Sequence, residues 1–123
     1  MNLVDSSGWL EYLADGKNAD SFAVPLRNLE ELIVPTICIY EVFKVVLREK
    51  GENEALQSVA LMNQGNVVDL SFEISIRSAK FSYDHQLPMA DSIIYTTGQI
   101  YNAIIWTQDE DFKDLPGVRY FSK

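Results

Sequence analysis

Five short apolar runs recur along this chain, separated by longer segments in which apolar residues return at helical spacing. The runs are rich in β-branched residues and are short enough for buried strands. We predict strands at Leu3-Val4, at Leu32-Ile33-Val34, at residues 66–70, at residues 103–106, and at residues 118–121 as a last edge strand.

The segments between the runs carry helix signals. Ser6 or Ser7 can cap a first helix that stops near Gly16, and Gly51 closes a long helix that begins at Pro35-Thr36. Pro25 interrupts a weaker helix over residues 19–29, so we expect a kink or two short pieces there. Three more helices are predicted at residues 52–64, from Ser71 onward, and at residues 89–101.

Strands that alternate with helices indicate a parallel sheet covered on both faces. We therefore expect a single α/β domain over residues 1–123. It would be a three-layer sandwich around a central, mostly parallel sheet of four to five strands. In such folds, ligands bind outside the carboxyl ends of the strands.

Bulk composition narrows the class of protein. Hydrophobic residues make up 47% of the chain and charged residues 23%, which is typical of a globular domain with a real core. No apolar run approaches the roughly 20 residues of a membrane span, and the first residues do not resemble a signal peptide. The one cysteine, Cys38, cannot form an internal disulfide, so we expect a reducing cytoplasm.

The formal net charge of −8 argues against a simple nucleic-acid binder, because phosphate binding normally requires a basic surface. Metal ions bound by some of the acids would neutralise part of this charge and could themselves hold a phosphate. The remaining acidity indicates weak intrinsic affinity for RNA, a basic partner, or both.

Four carboxylates, Asp5, Glu41, Asp91 and Asp109, follow predicted strands or lie near helix starts. Each has an ordinary explanation: a helix cap, a solvated side chain, a first-turn acid, a loop acid. Because Ser6 or Ser7 can cap the first helix, Asp5 is not needed there. A parallel sheet would bring all four acids to one edge, where a divalent cation would relieve their repulsion. Oxygen ligands favour Mg²⁺ or Mn²⁺ over zinc.

The ordered motifs resemble those of a known family. They are Leu3-Val4-Asp5-Ser6-Ser7, Glu41 early in the helix after the second strand, residues 87–94 around Asp91, and residues 107–112 around Asp109. The chain resembles PIN-domain ribonucleases, and among them most closely the toxins of VapBC toxin–antitoxin pairs. The resemblance covers nearly the whole chain in order and spacing.

This resemblance implies a Mg²⁺- or Mn²⁺-dependent ribonuclease that hydrolyses RNA phosphodiester bonds. Asp5, Glu41, Asp91 and Asp109 would be the catalytic, metal-binding acids, with Asp5 and Asp91 as primary ligands and Asp111 as an additional acid. It also implies Ser6 and Thr107 as supporting hydroxyls, a cognate antitoxin partner and a homodimer.

Lys44 and Arg48 follow Glu41 by three and seven residues, hence on the same helical face, and could guide the RNA backbone. An ordinary solvated charged stripe explains these two side chains equally well.

Two other functions fit parts of the sequence. A phosphoaccepting receiver domain has similar length and acidity, but it needs adjacent acids after the first strand and a lysine after the last central strand. Here Ser6-Ser7 follow Asp5, and no such lysine is present. A catalytically idle module of the same fold that only binds a partner is the second alternative, and the intact acid set argues against it.

Overall fold

Five parallel strands form one sheet in the computed structural model, which describes all 123 residues. They are β1 (Asn2–Val4), β2 (Leu32–Pro35), β3 (Asn66–Val68), β4 (Ile104–Thr107) and β5 (Val118–Tyr120), in the spatial order β3-β2-β1-β4-β5. Every pairing in the sheet is parallel. The predicted α/β class is confirmed, and the sheet is wholly parallel.

Six α-helices connect and cover the strands. They are α1 (Ser6–Leu13), α2 (Ala19–Leu26), α3 (Thr36–Lys50), α4 (Glu52–Met62), α5 (Phe72–His85) and α6 (Met89–Ile100). Two short 3₁₀ helices lie at Leu29–Glu31 and Glu110–Phe112. As predicted, α3 ends at Gly51, whose φ of 91° is a conformation that glycine adopts without strain.

Some element bounds differ from the prediction. Pro25 lies inside the last turn of α2, where the missing proline N–H removes only one helical hydrogen bond before the helix ends at Leu26. The Leu29–Glu31 3₁₀ helix is a separate piece, so the expected division at this point is confirmed. Strand β3 stops at Val68 because its partner β2 ends at Pro35, the residue paired with Val68.

The strand order places β1 at the centre, with β2 on one side and β4 on the other. The chain continues from β1 to β2 and β3 on one side and then crosses to β4 and β5 on the other, so the strand order reverses beside β1. The crevice at such a switch point is where open α/β sheets bind ligands. Receiver domains have the order 2-1-3-4-5 instead. The receiver alternative is therefore wrong for this chain.

The core lies on both faces of the central strands. Leu3, Val4, Leu32, Val34 and Ile105 are almost completely buried, as expected for strands covered by helices on both sides. No helix is long and apolar enough to cross a bilayer.

Helix α1 packs directly against β1 at Gly8. A Cβ atom on Gly8 would lie 2.5 Å from Val4 Cγ1 and 2.8 Å from Phe22 Cε1, so only glycine permits this approach. The close packing fixes the start of α1 at the carboxyl end of β1.

Candidate metal centre

The register between β1 and β4 brings two distant parts of the chain together. Val4 pairs with Trp106, and the Asp5 N–H donates to the Trp106 carbonyl at 3.1 Å. Asp5 therefore lies beside Thr107, although the two residues are about a hundred positions apart in sequence.

Asp5 is buried, with 2% of its surface exposed, and both of its carboxylate oxygens are hydrogen-bonded. Oδ1 accepts from the Ser7 hydroxyl at 2.8 Å and from the Gly8 N–H at 3.0 Å, and Oδ2 accepts from the Thr107 hydroxyl at 2.8 Å. Burial outweighs these bonds and raises the pKa of Asp5 to about 6.

Asp5 is itself the N-cap of α1, because its side chain accepts from the Gly8 N–H. The expectation that Ser6 or Ser7 caps this helix is wrong. Ser7 instead donates its hydroxyl to Asp5, so it supports the carboxylate without competing for the cap. Asp5 thus has a structural role and also faces the candidate site.

Thr107 links Asp5 to the acids that follow β4. Its hydroxyl donates to Asp5 and accepts the Asp109 N–H at 2.9 Å. Asp109 Oδ1 in turn accepts the Asp111 N–H at 2.9 Å and caps the Glu110–Phe112 3₁₀ helix. This chain of bonds fixes the positions of Asp109 and Asp111 relative to Asp5.

Asp91, Asp109 and Asp111 form a trio whose nearest carboxylate oxygens all lie within 4.8 Å of one another. Asp91 comes from the first turn of α6, whereas the other two follow β4. Burial, the negative charge of Asp109 and a carboxyl contact with Asp111 raise the pKa of Asp91 to about 8. Asp111, expected only as an additional acid, belongs to this trio, whereas Asp5 and Glu41 lie outside it.

Glu41 borders the site from α3. Its Oε1 accepts the Ser6 hydroxyl at 2.6 Å, which ties α3 to the start of α1. Burial raises the pKa of the nearby Cys38 thiol, and the charges of Asp5, Glu41 and Asp91 raise it further. Cys38 is therefore a neutral core residue that lies among these acids.

Lys44 and Arg48 lie on the exposed surface of α3 and form no ion pair with the acids. Lys44 Nζ is 5.8 Å from the centroid of the Tyr40 ring, and Arg48 pairs with Glu49 at 3.7 Å. The structure thus leaves both side chains at the surface, and their contact with RNA stays a prediction.

Ser7 and Gln108 border the site but were not among the predicted site residues. Ser7 donates to Asp5 and accepts the Gln108 N–H at 3.3 Å. The position of Ser7, two residues after Asp5 at a helix start, was the available signal, because such hydroxyls often bond a neighbouring side chain. Nothing in the local sequence indicated Gln108.

The donor set fits a divalent cation. Three carboxylates converge within 4.8 Å, and none of the four ion pairs in the structure involves them or Asp5 or Glu41. Like charges this close raise one another's pKa unless a cation neutralises them. All the donors are oxygen atoms, which matches Mg²⁺ or Mn²⁺.

A sequence profile of the PIN domain matches residues 3–118, nearly the whole chain. The chain belongs to the PIN domain family. No match was found among curated protein sequences. The strand order and the extent of the profile match therefore agree on the PIN fold.

Solved structures similar to this PIN domain share its fold over nearly the full length. A toxin–antitoxin complex from Klebsiella pneumoniae superposes with a TM-score of 0.80 at 22% identity, covering 100% of both chains. VapC20 of Mycobacterium tuberculosis, a Sarcin-Ricin loop cleaving toxin, gives a TM-score of 0.80 at 12% identity, covering 94% of this chain and 95% of that chain. DNA-bound VapBC from Salmonella typhimurium gives 0.74 at 14% identity, with 99% and 98% covered.

Proposed function

We propose that this PIN domain is a Mg²⁺- or Mn²⁺-dependent endoribonuclease. The observation that carries the proposal is the trio of Asp91, Asp109 and Asp111, whose oxygens converge within 4.8 Å without a basic partner. An anionic phosphodiester would be repelled by this site unless a cation is bound there. Metal binding would therefore make the site attractive to RNA.

The residues around the trio have separate roles in this proposal. Asp91, Asp109 and Asp111 would hold the cation directly, and Asp5 and Glu41 would hold it directly or through water. Thr107 and Ser7 fix the orientation of Asp5, and Ser6 fixes that of Glu41. These five acids lie after β1, in α3, in α6 and after β4, and their hydroxyl supports lie in α1 and β4, so the site depends on the assembled fold.

Lys44 and Arg48 would contact RNA phosphates on the surface that leads away from Glu41. Both are exposed and lie on the same face of α3.

Hydrolysis adds one water molecule to the phosphorus and breaks one P–O ester bond, which leaves one phosphate end and one hydroxyl end. A divalent cation, when bound, would lower the pKa of a water molecule that it coordinates and stabilise negative charge on the phosphate oxygens. The protein contributes orientation, since its carboxylates are fixed by the hydrogen bonds to Ser6, Ser7 and Thr107. No histidine is required as a base, and His85, the one histidine, bonds to the Phe81 carbonyl at 3.2 Å.

Incubation of the purified protein with total RNA tests this function. We expect cleavage with Mg²⁺ or Mn²⁺, none in excess EDTA, and recovery when the metal is restored. Cleavage that persists in excess chelator would contradict metal dependence. Metal binding without any cleavage would favour the idle partner-binding module instead.

The similarity to toxin–antitoxin complexes supports a toxin role and a cognate antitoxin. A cavity of about 700 Å³ between α1, α3 and α4 supports a protein partner, since Leu10, Leu13 and Leu61 line it together with Glu11 and Glu49. The net charge of −8 favours a basic segment in that partner.

The toxin role predicts a short neighbouring gene for a DNA-binding protein whose product blocks RNA cleavage. A neighbouring product that leaves cleavage unchanged would contradict the toxin role.

The apolar surface of α5 supports a homodimer. Phe72, Ile76 and Tyr83 share one helical face and are 85%, 58% and 86% exposed. An aromatic side chain buries about 150–250 Å², so two copies of this face could bury roughly 1,000 Å², near the minimum for a stable interface.

A Tyr83→Glu variant should therefore run as a monomer in size-exclusion chromatography with light scattering, because it places a charge in the apolar face. The matched control is Val24→Glu, at a position on α2 that is 65% exposed and outside this face. A wild-type monomer, or loss of the dimer in both variants, would contradict a dimer through α5.

A further inference from the structure

Two acids of the trio, Asp109 and Asp111, line a polar cavity of about 380 Å³ on the β5 side of the site. Gln108 and Tyr120 line it as well. Gln108 also lines the larger cavity between α1, α3 and α4, so this residue is common to both cavities.

The side-chain amide of Gln108 has a fixed orientation. Asn18 Nδ2 donates to the Ser122 carbonyl and to Gln108 Oε1, each at 3.0 Å. A carbonyl can only accept, so Asn18 must present its nitrogen on this side, and both of its amide protons are used. Gln108 consequently presents its oxygen to Asn18 and its nitrogen elsewhere.

Gln108 Nε2 has no hydrogen-bond acceptor within the protein, and this nitrogen is reached by solvent although only 8% of the residue is exposed. These two N–H donors are available to a ligand in the cavities that Gln108 lines. The acceptor of such a ligand would lie next to Asp109, the following residue in the chain.

Tyr120 contributes an aromatic ring to the same cavity. Lys113 Nζ lies 5.6 Å from the ring centroid, and Lys113 is itself exposed. Lys113 does not line the cavity, and an aromatic ring that does line it can stack with a planar group. A planar group with hydrogen-bond acceptors that is tethered to a phosphate is a nucleotide.

We propose that this cavity is a subsite for the RNA base next to the scissile phosphate, with the base stacked on Tyr120 and its acceptor edge bonded to Gln108 Nε2. The proposal rests on the ribonuclease function and names a substrate feature of that same site. Adenine is usually read by glutamine through both amide atoms, but Asn18 already occupies Gln108 Oε1. The subsite therefore favours a base with a ring-carbonyl acceptor over adenine.

Sequencing of the cut ends from a randomised RNA library, cleaved with Mn²⁺, tests this subsite. The wild-type protein should disfavour adenine at one position beside the cut. Gln108→Leu should remove this preference and lower kcat/KM about tenfold. Asn18→Asp presents oxygen to Gln108, so the glutamine amide should turn and the preference should shift towards adenine.

Two tyrosine variants separate stacking from general damage to the fold. Tyr120→Leu should raise KM about tenfold, whereas Tyr120→Phe should raise it much less because the ring remains. The matched control is Tyr101→Leu, because Tyr101 lies before the amino end of β4, whereas the site lies at the carboxyl end of that strand. It should leave KM and base preference unchanged. An unchanged cleavage profile in Gln108→Leu would overturn the subsite but not the nuclease function.

A binding measurement tests the subsite even if the protein cuts no RNA. Uridine and adenosine dinucleotides are added to the full chain, and the side-chain amide signals of Gln108 are followed by ¹⁵N NMR. We expect a shift with the uridine ligand that is absent in Gln108→Leu. No shift with either dinucleotide, or a shift only with the product of the neighbouring gene, would overturn the RNA subsite.

Discussion

An Asp91→Asn variant should cleave RNA at least about a hundredfold more slowly than the wild-type protein, with its fold retained. Its carboxylate is one of three whose oxygens lie within 4.8 Å, so the amide removes a charge that would hold the cation. Asp91 is only partly buried and caps no helix, so the substitution leaves the core intact. Initial cleavage rates with saturating Mn²⁺, together with circular dichroism, measure the two effects.

Asp69→Asn is the matched control for this experiment. Asp69 follows β3 at the same edge of the sheet, but it is exposed and outside the trio. Its variant should cleave at the wild-type rate. Asp5→Asn should also abolish cleavage, although Asp5 additionally caps α1 and accepts three hydrogen bonds. Equal cleavage rates for Asp91→Asn and Asp69→Asn would contradict the proposed catalytic site at the acidic trio.

In EDTA, the free energy of unfolding should decrease as the pH rises from about 4 to about 8, because the folded state loses the stabilisation that its protonated carboxyl groups provide. Burial and neighbouring charge raise the pKa of Asp5 to about 6 and that of Asp91 to about 8, from 3.8. Within this window the folded protein binds more protons than the unfolded chain, so the derivative of the unfolding free energy with pH is negative. For the buried Asp5 alone, the loss amounts to roughly 3 kcal/mol.

Thermal melts between pH 4.5 and pH 8.5 in EDTA, compared between wild type and Asp91→Asn, measure this contribution. The variant should lose less stability towards high pH, because it has no charge to develop at this position. Mn²⁺ should raise the wild-type melting temperature most at pH 8, since it binds the ionised, folded site. Parallel pH profiles for the two proteins, or a melt that does not respond to metal, would contradict the acidic pocket.

The fold was predictable because the apolar pattern of each segment indicates the same type of element that the structure contains. Buried β-branched runs such as Leu32–Pro35 have few alternatives to a parallel strand, and Gly51 ends α3 through its own backbone freedom. The strand order was not predictable, since it depends on which helix faces pack together. The end of β3 was misplaced because it is set by its partner strand, which has no local signal.

The clustering of acids followed from topology, because a parallel sheet brings its carboxyl ends to one edge. The finer geometry did not follow. The role of Asp5 as a helix cap depends on how close Gly8 brings α1 to β1, and two serines offered an equally good local alternative. The orientation of Gln108 depends on Asn18, ninety residues earlier in the chain. Such long-range contacts leave no pattern in a single sequence.

The pairing of β1 with β4 has a consequence for the order in which the protein is made. Asp5 emerges from the ribosome 102 residues before Thr107, and Asp109 and Asp111 follow Thr107. Domains fold as their chains emerge during synthesis, so a nascent chain that lacks β4 has neither the trio nor the bond that orients Asp5. The acidic site is therefore complete only after β4 and the residues that follow it have been synthesised.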